Sequence, residues 1–174
     1  LTMGKNPQEM RDSLALAEEN DNIYVAAGLH THEAEDFTEE MLQEFMAGYS
    51  HPKMIGVGEI GLDFWYDNSP RDQQEEVFRR FLRIALKIDK PVIIHLRDPK
   101  NGPASASQAY HRIMAEEDPE NMLKGIIHCF SHSYQFAEEN IKRGFLISFP
   151  GIVTFPKAEE LRDVARRIPA ENIL

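Results

Sequence analysis

Apolar residues along the chain gather in five short runs: Ile23 to Leu29, Met54 to Val57, Pro91 to His95, Gly125 to His128 and Phe145 to Phe149. Their length and β-branched content predict strands. Between them lie longer polar segments in which apolar residues recur at helical spacing, as at Val77, Phe81, Ile84, Ala85 and Ile88. That helix has a readable start, with Ser69 as N-cap and Pro70 at the first helical position. Similar stretches predict helices over Phe37 to Gly48, Ser107 to Glu117, Tyr134 to Arg143 and Ala158 to Arg167. Leu1 and Thr2 read as a strand tail entering the loop Gly4 to Pro7, and Asn172 to Leu174 as the start of a further strand.

Each apolar run is nearly continuous rather than alternating, which predicts strands buried on both faces, as in a parallel sheet covered by helices. The fold class is therefore α/β, built of βα repeats. A doubly wound sheet and a barrel both satisfy this alternation, and the polar residues favour the barrel. In a (β/α)₈ barrel the chemistry sits at the C-terminal ends of the strands. Those ends carry His30, Glu59, His95 and His128, a metal-ligand type at four successive strand ends. One loop, Asp98 to Ala106 with Pro99, Gly102 and Pro103, is long enough to pass over a site.

Composition narrows the function. The chain has 174 residues, 42% of them hydrophobic and 28% charged, as in an ordinary globular domain. No run approaches the ~18 apolar residues of a membrane span, and Leu1 to Asn6 lacks the basic and apolar regions of a secretory signal. With the single Cys129 excluding an internal disulfide, the cytoplasm is the expected location. A net charge of −10 argues against wide, sequence-independent wrapping of a polyanion, which relies on many Lys and Arg contacts. It leaves room for a metal site that binds phosphate locally.

Three imidazoles and one carboxylate converging on a barrel mouth suit Zn²⁺ or Mn²⁺, whereas a Mg²⁺ site is usually richer in oxygen. Around Glu59, the run Gly56-Val57-Gly58-Glu59-Ile60-Gly61-Leu62-Asp63 supplies small residues that permit close backbone approach. Gly56, Gly58 and Gly61 also match the dinucleotide spacing G-x-G-x-x-G. The next helix begins only near Pro70, too late to place its N-terminus at a pyrophosphate, so that reading is rejected.

Four segments then resemble the TatD-like metal-dependent deoxyribonucleases: Gly28-Leu29-His30-Thr31-His32-Glu33-Ala34, Gly58-Glu59-Ile60-Gly61-Leu62-Asp63, Pro91-Val92-Ile93-Ile94-His95-Leu96-Arg97-Asp98 and His128-Cys129-Phe130-Ser131. Ser148-Phe149-Pro150-Gly151 adds a fifth, and the order and spacing follow the family over essentially the whole chain. The resemblance implies a TIM-type (β/α)₈ barrel with a two-metal centre that hydrolyses phosphodiester bonds of DNA, single-stranded or at ends. It implies that Glu59 bridges the metals as the central catalytic residue. His95 and His128 would complete the second metal position, His30 would bind substrate near its phosphate, and Asp63 and Arg97 would either support the metal ligands from behind or bind and orient substrate beside the metals. The metals would be Mg²⁺, Mn²⁺ or Zn²⁺.

The sequence also departs from that pattern. Thr31 stands where the family usually has Pro, and His132 where it often has Gly. The H-x-H pair of the family's first strand and the aspartate of its eighth are not among these residues, although they supply most of the first metal position. A TIM barrel typically takes ~250 residues, so residues 1–174 are expected to form one incomplete barrel domain, about strands three to seven plus the first residues of the eighth. Other metallohydrolases of the same barrel, of lactonase or phosphotriesterase type, and an inactive partial domain are the competing readings. Trp65, Tyr66 and Phe130 are either stacking walls for a base or packing at the rim. His132 is expected at the surface and Cys129 in buried packing, since adjacent strand residues face opposite sides and would keep Cys129 from pairing with His128.

Overall fold

A computed structural model describes residues 1–174, in which six parallel strands form one sheet in strict sequential order. They are β1 (Thr2–Gly4), β2 (Val25–Ala27), β3 (Met54–Asp63), β4 (Val92–Arg97), β5 (Gly125–His128) and β6 (Phe145–Ile147). The helices are α1 (Pro7–Glu18), α2 (Glu39–Gly48), α3 (Arg71–Ile88), α4 (Ser105–Glu117), α5 (Tyr134–Lys142) and α6 (Glu159–Arg167). Because each strand pairs with the next along the chain, there is no reversal of strand order, the hallmark of a doubly wound sheet. The sheet is part of a (β/α)₈ barrel. Ile173 bridges Ile147 in parallel, so the final residues do begin to pair beyond β6.

Several boundaries differ from the sequence pattern. The hydrophobic rhythm does not single out α1, whose face is thin: of its residues only Pro7, Met10, Ser13 and Ala17 are buried. Its start is defined by polar chemistry instead, with the Asn6 side chain accepting the Glu9 N–H at 2.9 Å and Pro7 in the first turn. At α3, Pro70 rather than Ser69 occupies the cap position. The Ser69 hydroxyl is engaged elsewhere: it donates to the His32 carbonyl (3.0 Å) and accepts the Glu35 N–H (3.2 Å), tying α3 to the 3₁₀ turn Thr31–Asp36.

Helix α3 shows how the layers are joined. Val77, Phe78, Phe81, Leu82 and Ala85 bury one stripe against the sheet, while Arg79 and Arg83 reach Glu116 and Glu117 at the end of α4. The apolar stripe carries the stability, because burying one such side chain is worth about 1.5–3 kcal/mol. The ion pairs, each with at least one partner exposed except Arg79–Glu117, add less.

β3 runs to Asp63, six residues past the apolar run that predicts it, and β4 runs to Arg97. Glu59 and His95 therefore lie within strands, not just beyond them. Between Val57, paired with Val92, and Ile60, paired with Ile94, β3 advances three residues while β4 advances two. This bulge inserts one extra residue and turns Glu59 toward the mouth. Two glycines make it possible: a Cβ on Gly58 would strike the Ile93 carbonyl, and one on Gly61 the His95 carbonyl. No helix is long and apolar enough to cross a membrane.

Candidate metal centre

Four strands deliver the polar side chains to one end of the sheet. His30 follows β2 and caps the 3₁₀ turn, Glu59 and Asp63 project from β3, His95 and Arg97 from β4, and His128 closes β5. His95 and His128 are register partners, so their side chains leave the same face at the same height.

Glu59 sits at the middle and its two oxygens face different ways. Oε1 lies 3.1 Å from His95 Nδ1 and 4.0 Å from His128 Nε2, whereas Oε2 lies 3.9 Å from His30 Nε2. His30, Glu59 and His95 bring one ligand atom each within 4.8 Å of one another, a spacing that one divalent ion spans. His128 stands just outside this set. The mixture of imidazole and carboxylate fits Zn²⁺ or Mn²⁺.

Behind His95 stands Asp63, fully buried. Its Oδ2 is 3.0 Å from His95 Nε2 and 3.1 Å from His32 Nε2, and its Oδ1 accepts the N–H groups of Trp65 and Tyr66. Asp63 thus has no free oxygen for a substrate and acts on the ring of His95. A carboxylate holding one imidazole nitrogen while the other faces the ion is the usual support of a metal-ligating histidine. His32 shares this carboxylate, a contact that sequence reasoning missed although the pair His30 and His32 was visible.

The charges follow from these contacts. Burial alone would raise Glu59, but hydrogen bonding and charge from His95, with His30 and His128 nearby, hold it below the ordinary carboxylate value. Asp63 is likewise depressed, with burial outweighed by His95, the Tyr66 N–H and His32. His95, between the two carboxylates, rises to about 9 despite its burial. His30 falls to about 4, through burial first and then repulsion from His95, and is therefore neutral near pH 7. Its Nδ1 accepts the His32 N–H at 3.3 Å, which leaves the proton on Nε2. A neutral ring in that tautomer offers a donor toward Glu59 and the mouth.

Arg97 has no carboxylate within ion-pair distance; its guanidinium lies 4.5 Å above the Trp65 ring and 5.6 Å from Tyr66. Trp65 and Tyr66 are exposed at 39% and 57%, whereas Phe130 is fully buried against Phe136 and Phe149 and belongs to the packing.

Two side chains lie elsewhere than expected. Cys129 is exposed, and its Sγ is 3.2 Å from His128 Nε2. The alternation argument fails because Cys129 lies beyond the end of β5 in a left-handed conformation, φ 49°, which breaks the pleat. Partial burial and the Glu59 charge push the thiol pKa up, which lowers its thiolate fraction near pH 7. His132 is not at the surface: its side chain is 6% exposed, bonded through Nε2 to the Leu96 carbonyl (3.0 Å) and set 3.3 Å from Asp98.

Comparison with known proteins agrees with this geometry. The model of the family described as TatD related DNase matches residues 1–174. The chain is 39% identical over 162 residues to the uncharacterized metal-dependent hydrolase YabD of Bacillus subtilis, covering 93% of the chain and 60% of that protein. It is 30% identical over 177 residues to the 3'-5' ssDNA/RNA exonuclease TatD of Salmonella typhimurium, covering all of the chain and 64% of that protein. The crystal structure of a TatD homologue from Escherichia coli K12 superposes with a TM-score of 0.82 at 27% identity, over 99% of this chain and 64% of the other. The chain therefore spans less than two thirds of the length of each of these relatives.

Proposed function

Because the chain belongs to the TatD-related DNase family, we propose that residues 1–174 are the central part of a single metallohydrolase barrel domain that cleaves phosphodiester bonds of DNA, unpaired or at strand ends. The observation that carries this reading is the division of Glu59, with Oε1 toward His95 and His128 and Oε2 toward His30. A carboxylate that serves two sides is suited to bridging two divalent ions, and the family resemblance implies that pair. The Salmonella relative, named as an exonuclease of single-stranded DNA and RNA, points to the same substrate class.

Each residue then has a defined task. Glu59, His95 and His128 would hold one ion, and the free side of Glu59 would reach toward a second. A bound divalent ion supplies charge stabilisation on the phosphoryl oxygens and acidifies water at neutral pH. His95 is kept in orientation by Asp63, which binds its far nitrogen. His30 Nε2–H would donate to a phosphate oxygen, and its position within the metal-spaced set of Glu59 and His95 keeps it beside the ion. Arg97, free of carboxylates, offers its donors to the phosphate beside the scissile one.

The test is Glu59→Gln in the protein expressed from its complete coding sequence. Mn²⁺-dependent cleavage of single-stranded DNA is expected to fall by more than about a hundredfold, together with bound metal. Cleavage that persists in Glu59→Gln at the wild-type rate would overturn the bridging role.

A further inference from the structure

Beside the metal centre lies a second feature that the hydrolytic reading does not use. A cleft of about 1060 Å³ runs outward from Arg97 and Trp65, past Tyr134 and Ile152, to Lys157 and Arg167. In a chain of net charge −10, this cleft gathers three cations, two of them over aromatic rings: Arg97 over Trp65, and Arg167 over Tyr134 at 3.6 Å. Most carboxylates along it are already engaged. Asp98 is held by Ser107 and His132, Glu159 by Arg162 and Arg166, and Asp163 by Arg167, so that Glu160 alone is unpaired.

Arg97 is the informative member. Every other arginine of the chain has a carboxylate oxygen within ion-pair distance. Arg97 has none, and its side chain makes no hydrogen bond either, although it is half-buried and sits two residues beyond His95. A half-buried guanidinium with vacant donors, placed by ring faces rather than by acids, is arranged to receive an anion. Trp65, with Arg97 over its ring, is still 39% exposed.

We propose that Trp65 and Arg97 form a subsite for one unpaired nucleotide next to the scissile phosphate, with the base on Trp65 and its phosphate on Arg97, and that the cleft carries the strand on toward Lys157 and Arg167. The inference rests on the nuclease reading and adds to it the side chains that would hold the unpaired base, Trp65 foremost. Stacking demands an unpaired base, whereas a paired duplex end offers none. None of Glu59, His95 and His128 lines the cleft, so binding there can be read in the absence of metal.

Trp65 is the only tryptophan, which makes it a direct probe. In the chain held metal-free with chelator at low salt, a short oligothymidylate is expected to quench tryptophan fluorescence. A blunt DNA hairpin and inorganic polyphosphate of equal charge should leave it unchanged. With a labelled oligothymidylate read by anisotropy, Trp65→Ala should weaken binding about tenfold and Trp65→Phe much less. Arg97→Ala should also lower the salt dependence of binding by about one charge. Equal binding of hairpin, polyphosphate and oligothymidylate, or an unchanged Trp65→Ala, would overturn the subsite while leaving Glu59-dependent cleavage intact. Absence of Mn²⁺-dependent DNA cleavage by the wild-type protein expressed from its complete coding sequence would instead remove the nuclease reading without touching the quenching result.

Discussion

Asp63 Oδ2 and His95 Nε2 lie 3.0 Å apart, and the opposite nitrogen of the same ring lies 3.1 Å from Glu59 Oε1. His95 is therefore clamped between two carboxylates, one buried behind it and one facing the mouth. Asp63→Asn retains an oxygen for the Trp65 and Tyr66 amides but weakens the hold on the imidazole. Loss of such a supporting carboxylate typically costs 10–100-fold in metal affinity. Calorimetric titration with Mn²⁺ should show a fall of about that size with the fold intact by circular dichroism. Unchanged affinity would mean that Asp63 serves only the Trp65 and Tyr66 turn.

The same clamp makes metal binding depend on pH. Burial disfavours the His95 imidazolium, but hydrogen bonds and charge from Asp63 and Glu59 outweigh it and raise the pKa to about 9. At pH 7 the metal-free ring is cationic, and an ion that ligates Nδ1 must displace its proton. Mn²⁺ affinity should thus rise by roughly tenfold per pH unit up to about 9, with one proton released per ion bound. For the metal-free chain the sign is opposite. A pKa raised above the unfolded value near 6.5 stabilises the fold below that value, and the contribution fades as pH rises through about 9. Titrations in buffers of different ionisation enthalpy, and melts in chelator from pH 6 to 10, read the two effects separately.

Gly61 predicts a backbone effect. Its φ of 142° is a conformation that side chains avoid, and a Cβ there would meet the His95 carbonyl. Gly61→Ala should cost at least about 2 kcal/mol and lower metal affinity as well, because β4 carries His95. Gly151→Ala is the control, since nothing lies within 4 Å of a Cβ at that position. Equal urea midpoints for the two variants would show that β3 and β4 can separate without penalty.

The repeating architecture was legible because continuous apolar runs and helical periodicity record burial directly, as in Ile93, Ile94 and Phe81. The convergence of Glu59 with His95 and His128 was also readable, from ligand types recurring at successive strands. What the pattern concealed depended on contacts between distant residues. Apolar rhythm ends β3 at Val57, yet pairing with β4 carries it to Asp63, since glycines and a buried carboxylate are tolerated there by specific partners. For Asp63 the sequence left open whether it supports a ligand or orients substrate; the contacts of its oxygens with His95, His32 and two amides favour support. His132 looked like a surface residue because the partners that bury it, Asp98 and Leu96, lie more than thirty positions earlier. Helix α1 escaped because its start rests on the Asn6 cap rather than on an apolar stripe.

The Asp98 network yields a prediction about stability in acid. Asp98 Oδ1 accepts the Ser107 N–H (3.0 Å), while Oδ2 accepts the Ser107 hydroxyl (2.5 Å) and lies 3.3 Å from His132 Nδ1. These bonds draw the end of β4, the start of α4 and the loop after β5 together, closing the base of the long loop that follows Asp98. Burial works to raise Asp98, but the hydrogen bonds from His132 and Ser107 prevail and hold it at about 2, below its ordinary value of 3.8. A depressed carboxylate contributes its stability in full above the unfolded pKa and loses it as pH falls through the folded one. Asp98→Asn, which removes the charge and one good acceptor, should therefore destabilise the chain by about 1–2 kcal/mol at pH 7. That gap should shrink steadily between pH 4 and pH 2, where the wild-type carboxyl is itself becoming protonated. Urea melts of both proteins at pH 7, 4 and 2 give the comparison. A gap that stays constant down to pH 2 would mean that shape at this position, rather than the ionised carboxylate, holds the loop.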